Sequence, residues 1–148
     1  MILVIQKVKE AEVRDVDTGE SHRIGPGLLV LMGFEKGDDP SLFPKIIDKL
    51  FHLRVFEDDQ GKLNLSVLDL GYEVMAIPNF TLAGNIQKGR RPSFDKALDW
   101  ETSERLYKNF LKTAENLGYR IVPGFFRKHM QIFLVNDGPV TLVGRFPT

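Results

Sequence analysis

Cysteine is missing altogether from the 148 residues, so disulfides, thiol nucleophiles and thiolate metal ligands are all excluded. Histidine occurs only three times, at His22, His52 and His129, too scattered for a metal cluster or a triad of neighbouring motifs. Net charge is lacking too. Twenty Lys and Arg balance twenty Asp and Glu, so any attraction to nucleic acid has to come from local basic patches. Apolar runs are short: residues 2–5 and 28–32 fall well below the roughly 20 needed to span a bilayer, and no charged-then-apolar leader opens the chain. The expectation is a cytoplasmic protein with no membrane association. There is no G-x-S-x-G elbow, no H-E-x-x-H and no glycine-rich phosphate loop. No metal and no cofactor are expected. Any catalysis must then rest on backbone N–H groups, a hydroxyl such as that of Thr81, or groups of the substrate itself.

What is present reads as one α+β domain over residues 1–148, with a largely antiparallel or mixed, barrel-like sheet and two main helices. Residues 2–5 suit a buried strand that continues half exposed to Val16. Turn signals at Asp17-Thr18-Gly19-Glu20 and Gly25-Pro26-Gly27 predict two further strands in an antiparallel meander. Leu42, Phe43, Ile46, Ile47, Leu50 and Phe51 share one helical face, with Ser41 as expected N-cap and Pro44 tolerated in the first turn. His52, at the end of this helix, is expected on the surface. Residues 54–57 read as a short strand, 63–70 as irregular or weakly extended, and 73–78 as another strand. The acidic group Glu57, Asp58, Asp59 is expected to be a solvated turn rather than a magnesium site. Residues 101–117 carry the clearest helical stripe, ended by Gly118, and 119–122 a further strand.

Three stretches stand apart. Asn136-Asp137-Gly138-Pro139-Val140-Thr141 sets four turn formers between two strand-like runs, and on those residues alone it reads as a hairpin turn. Lys88-Gly89-Arg90-Arg91-Pro92 is the densest positive charge, in a loop that suits either phosphate contact or plain solvation. Arg127-Lys128-His129 is a second, smaller basic cluster.

Taken together, six segments in order resemble the bacterial D-aminoacyl-tRNA deacylases. They are Ile5-Gln6-Lys7-Val8, the Gly25-Pro26-Gly27 stretch to Leu31, Leu53 to Asp58 with Gly61-Lys62, Asn79-Phe80-Thr81-Leu82, Lys88 to Phe94, and Met130 followed by Leu134 to Thr141. The resemblance implies a homodimer with active sites at the subunit interface, hydrolysing the ester between a D-amino acid, or glycine, and the acceptor end of tRNA. It implies that Gly138-Pro139 carries a cis bond, enters the partner's site and reads the α-amino group, leaving an L side chain no room, and thus replaces the hairpin reading. It further implies substrate contacts from Pro78, Asn79, Met130 and Asn136, and tRNA contacts from Lys88, Arg90 and Arg91, with Arg127 and Lys128 as additional candidates for holding the acceptor end. Phe80 and Thr81 are the expected catalytic positions, through backbone N–H groups that hold the oxyanion while the terminal 2′-hydroxyl assists water. The Thr81 hydroxyl is expected to bond rather than attack, since no base adjoins it. Departures from the pattern are Pro78 and Asn79 in place of Ser-Gln, Lys7 in place of an arginine, and Arg127-Lys128-His129 in place of a Gly-Ala-Asp-like stretch. These leave relaxed specificity, or tRNA binding without catalysis, as alternatives to strict D-selectivity.

Overall fold

The computed structural model describes residues 1–147. Its sheet is built around β1 (Ile2–Asp15), whose two edges are both occupied. One edge takes β8 (Met130–Arg145) along nearly the whole length, antiparallel, with Ile2 opposite Arg145 and Asp15 opposite Met130. The other edge is shared: Ala11 to Arg14 pair with β2 (Ser21–Ile24) and Ile2 to Val8 with β3 (Gly27–Gly33). The expected meander is therefore corrected. β2 and β3 never pair with each other but lie end to end along β1. Pro26 supplies no N–H to the ladder, so the strand breaks there and resumes in the same direction.

β6 (Glu73–Pro78) adds to β3 in parallel, and β7 (Ile121–Pro123) adds to β6 in parallel, giving a mixed sheet. Strands in the parallel part are buried on both faces, as their continuous apolar runs require. Leu28, Val30, Met32, Val74 and Ala76 point to a core shared with α1 (Phe43–His52) and α3 (Trp100–Asn116). Leu29, Met75 and Ile77 point the other way, into a second cluster where Met130 and Ile132 of β8 meet Val122 of β7. That second cluster draws the two ends of the sheet together and curls it towards a barrel.

Local chemistry explains the smaller differences. The helix start expected at Ser41 is a short 3-10 turn, Pro40–Leu42, capped by Asp39, whose carboxylate accepts from Ser41 N at 2.9 Å; Pro44 sits within the first turn of α1. A two-strand ribbon, β4 (Phe56–Glu57) and β5 (Leu63–Leu65), flanks the Asp58 turn. Asp58 accepts from the backbone N–H groups of Lys62 and Gln60, and these bonds, that from Lys62 above all, hold its carboxyl below the usual carboxylate range. The segment expected to be irregular contains α2 (Val67–Leu70), started by a reciprocal Ser66–Asp69 capping box and stopped by left-handed Gly71. No helix among the described residues is long and apolar enough to cross a membrane.

Candidate functional site

β6 carries the chain out of the core at Pro78, the last residue in register with β3, where the absence of a proline N–H costs no ladder bond. The Asn79 N–H closes the ladder on Met32 O at 2.7 Å, and a 3-10 turn, Phe80–Ala83, follows. Asn79 is both the exit residue and the cap. Its Oδ1 accepts from Thr81 N at 3.2 Å and from the Thr81 hydroxyl at 2.5 Å. Gly33 underlies this corner. A Cβ there would meet Leu82 Cβ at 2.8 Å and Asn79 O at 3.2 Å, so only glycine lets the turn sit against β3.

The consequences for chemistry are specific. Thr81 N–H is engaged by the Asn79 carboxamide, whereas Phe80 N–H, the first of the turn, has no acceptor among the described residues. The Thr81 hydroxyl donates to an amide oxygen, which is no general base. Phe80 is 62% exposed and its ring lies 5.4 Å from that of Phe94. Beside this corner opens a pocket of about 310 Å³ whose floor is Met32, Phe34 and Leu98, with Pro78, Asn79 and Phe80 on one side and Trp100 and Arg127 on the other. No Asp or Glu lines it, and neither do Thr81 or Met130. Met130 is instead the first residue of β8, packed into the second core cluster.

The second feature lies on β8. Gln6 pairs with Thr141 and Val8 with Asn136, so Lys7 alone stands opposite Asp137, Gly138, Pro139 and Val140. The strand-like runs on either side are thus two halves of one strand on β1, and the residues between them bulge out of it. Asn136 ties the neck: its Nδ2 donates to Val140 O (3.2 Å) and the Thr141 hydroxyl (2.9 Å), and its Oδ1 accepts from Val140 N (3.0 Å). The Gly138–Pro139 bond is cis and Gly138 has φ +142°. A Cβ on Gly138 would meet Val140 Cγ2 at 2.9 Å. Lys7 makes no hydrogen bond to the bulge; its ammonium lies 5.4 Å from the Phe56 ring centroid.

Within one chain the bulge and the pocket are apart. Lys7 is level with Leu28 on β3 and Pro78 is level with Met32, a separation of roughly 13 Å along the strand and three strands across the sheet. β8 also leaves apolar side chains uncovered on both of its faces: Phe133, Leu134, Val135, Leu142 and Val143 are all exposed.

Lys88, Arg90 and Arg91 occupy the tip of a loop whose neck is closed by paired bonds between Asn85 and Ser93 at 2.7 and 2.8 Å. The neck is fixed to the site because Phe94 packs against Gly84, where a Cβ would come within 2.9 Å of its ring. Sequence reasoning overlooked Trp100 as a pocket residue and did not single out Phe34, Leu98 or Phe126. An exposed aromatic at the start of an otherwise amphipathic helix was the available signal for Trp100.

Comparison with known proteins bears on all of these segments. A family model described as D-Tyr-tRNA(Tyr) deacylase matches residues 4–145. Proteins named D-aminoacyl-tRNA deacylase from Geobacter sulfurreducens and Thermodesulfovibrio yellowstonii are 46% and 41% identical over 143 residues, covering 97% of this chain and 93% and 97% of theirs. Among solved structures, one titled c-Myc DNA unwinding element binding protein superposes with a TM-score of 0.90 at 37% identity, covering all of both chains. Another, of a probable eukaryotic D-amino acid tRNA deacylase, shares the fold with a TM-score of 0.84 at 15% identity over 97% of each chain.

Proposed function

The chain belongs to the D-Tyr-tRNA(Tyr) deacylase family, and on that premise we propose how it carries out the hydrolysis of D-aminoacyl-tRNA. Two copies pair through the exposed apolar side chains of β8, so that the Gly138–Pro139 bulge of one protomer enters the pocket of the other. The observation that carries this reading is the separation of the two signature segments within one chain, together with the uncovered apolar residues of the strand that bears one of them. The site is incomplete without a second copy.

In that composite site the carbonyls of the bulge accept from the α-amino group of the substrate. Rigid backbone on that side leaves no volume for an L side chain, while a D side chain or the hydrogen of glycine is accommodated, so glycyl-tRNA is also a substrate. Asn136 holds the bulge in the required shape. The ester carbonyl lies at the Asn79–Phe80 corner, where Phe80 N–H is the donor left over to meet the developing oxyanion, a contribution of about 3 kcal/mol. Water, assisted by the terminal 2′-hydroxyl, adds to the carbonyl carbon. The bond to the ribose 3′-oxygen then breaks, and the proton lost by water ends on that oxygen. Lys88, Arg90 and Arg91 neutralise acceptor-stem phosphates, and the substrate is one used by translation in the cytoplasm.

The deciding experiment is deacylation of matched D-tyrosyl-, glycyl- and L-tyrosyl-tRNA, followed alongside analytical ultracentrifugation. Rapid loss of the first two, sparing of the third and a dimer in solution are expected. Binding of tRNA with all three esters intact would leave only a tRNA-binding module. Loss of all three would mean relaxed specificity.

A further inference from the structure

One wall of the pocket is built in a way that ester hydrolysis does not require. Arg127 has φ +56°, the one non-glycine residue with positive φ among those described, a conformation that costs a non-glycine residue on the order of 1 kcal/mol. It sits at the apex of a loop fixed at both ends. Gly124 N donates to the buried Tyr107 hydroxyl at 3.0 Å on one side, and His129 O accepts from Val16 N at 2.9 Å on the other. Phe126 stacks on Tyr107, with centroids 6.2 Å apart, so the inner half of the loop is part of the core. The guanidinium is carried outward and laid over Trp100, 4.2 Å from the ring centroid, at the mouth of the pocket.

No carboxylate lies within ion-pair distance of Arg127 among the described residues. Asp99, next to Trp100, is already committed as the cap of α3, accepting from Thr102 N and its hydroxyl at 2.9 Å each. A guanidinium centred over an indole ring keeps N–H groups free for an anion, and the contact restricts where they can point. The anion has to lie at the rim, because Arg127 is exposed while the floor is apolar. On the deacylase reading, the substrate anion that stands a fixed distance from the reacting ester, whatever the amino acid, is the phosphodiester joining the last two nucleotides.

Resting on that reading, we propose that Arg127, held by the Trp100 indole, grips the phosphodiester on the 5′ side of the substrate's terminal nucleotide, with Trp100 as its positioning residue. The test uses two small substrates, the D-tyrosyl esters of adenosine and of adenosine 5′-monophosphate, which differ only in that phosphate. The protein should prefer the second by roughly tenfold in kcat/KM, the difference lying in KM. Arg127→Gly, which suits the left-handed backbone and so preserves the fold, should erase the preference; Arg127→Lys should restore part of it; Trp100→Leu should reduce it by about threefold. Arg120→Ala, at an exposed position away from this pocket, should keep it whole. On full-length D-tyrosyl-tRNA, Arg127→Gly should flatten the salt dependence of kcat/KM by about one phosphate contact.

Equal rates on the two small esters, or an undiminished preference or salt slope in Arg127→Gly, would overturn the proposal. So would a D-aspartyl adenosine ester that outpaces the D-tyrosyl one only while Arg127 is present, because the guanidinium would then be reading a side-chain carboxylate. Failure of the deacylase reading itself looks different, since neither small ester nor D-tyrosyl-tRNA would turn over.

Discussion

The Asn79–Phe80 corner and the Gly138–Pro139 bulge are built on opposite principles. The corner leaves a strand buried on both faces, rests on Gly33, and closes its own ladder through Asn79 N–H. The bulge interrupts a strand whose outer face is largely uncovered, and its shape depends on the three hydrogen bonds of one side chain, Asn136. A reading device made of backbone needs the second kind of support. It must project beyond its own core to enter another, yet remain stiff enough that small differences in substrate shape are felt. On the proposed function stability is concentrated at the corner and selectivity at the bulge, and substitutions in the two regions should then separate the two properties.

The sharpest separation is expected from Gly138→Ala. At φ +142° an L side chain is strained, and its Cβ would lie 2.9 Å from Val140 Cγ2, so the bulge must shift. Deacylation of D-tyrosyl-tRNA should fall by about 100-fold or more while the melting temperature changes by no more than about 2 °C, because residues 137–139 are all exposed. A collapse of the melting temperature in step with activity would show that the bulge is part of the folding core after all. Asn136→Ala comes next. It leaves Val140 N–H and the Thr141 hydroxyl without their partner, and roughly tenfold loss of kcat/KM is expected, with an increased rate on L-tyrosyl-tRNA as the sign that the reader has loosened.

The corner half should answer in stability instead. The Tyr107 hydroxyl donates to Ala76 O on β6 at 2.7 Å and accepts from Gly124 N at 3.0 Å, joining α3 to the strand that ends at Pro78 and to the Arg127 loop. Tyr107→Phe should cost about 1–3 kcal/mol in urea denaturation. Burial pushes this hydroxyl up to about 12. The folded state therefore favours the protonated phenol, so its contribution is fully present below the unfolded value near 10 and disappears as pH rises from about 10 to about 12. The alkaline loss of stability should shrink in Tyr107→Phe; an identical alkaline profile in both proteins would remove Tyr107 from the account.

How much of this was legible in the residues follows the same divide. Periodicity located β1, β6, α1 and α3 because each buries a regular stripe, whereas residues 79–81 and 136–139 stood out as halves of a site through the family resemblance and not through their local pattern. Four things were not legible. The parallel pairing of β3, β6 and β7 depends on long-range register that no local pattern encodes. The residues at 136–141, which on their own suggest a hairpin, form a bulge because both flanking runs find the same partner, β1, and no local pattern encodes that. α2 was missed although Ser66 and Asp69 have capping-box spacing, since four residues give no apolar period to notice. The pairing of Arg127 with Trp100 joins residues 27 positions apart through a left-handed backbone that arginine seldom adopts, and neither residue alone carries that signal.

The smallest effect is expected where a side chain looks most catalytic. Thr81 stands beside the pocket with a hydroxyl, and a threonine nucleophile would make the corner, not the bulge, the centre of the chemistry. Its hydroxyl, however, donates to Asn79 Oδ1 at 2.5 Å, and a carboxamide oxygen cannot take that proton. Removing the hydroxyl leaves Asn79 still bonded to Thr81 N, so the turn keeps its cap. Thr81→Ala should therefore lower kcat for D-tyrosyl-tRNA by no more than about threefold, without a burst of released tRNA in the parent protein under single-turnover conditions. A nucleophile would behave otherwise: its loss costs on the order of 10⁴-fold or more, and the parent would accumulate an acyl-enzyme. With a drop of that size in a folded Thr81→Ala protein, Phe80 N–H would be demoted to a helper of a covalent mechanism, and the division between a stable corner and a selective bulge would have to admit a reactive side chain on the stable side.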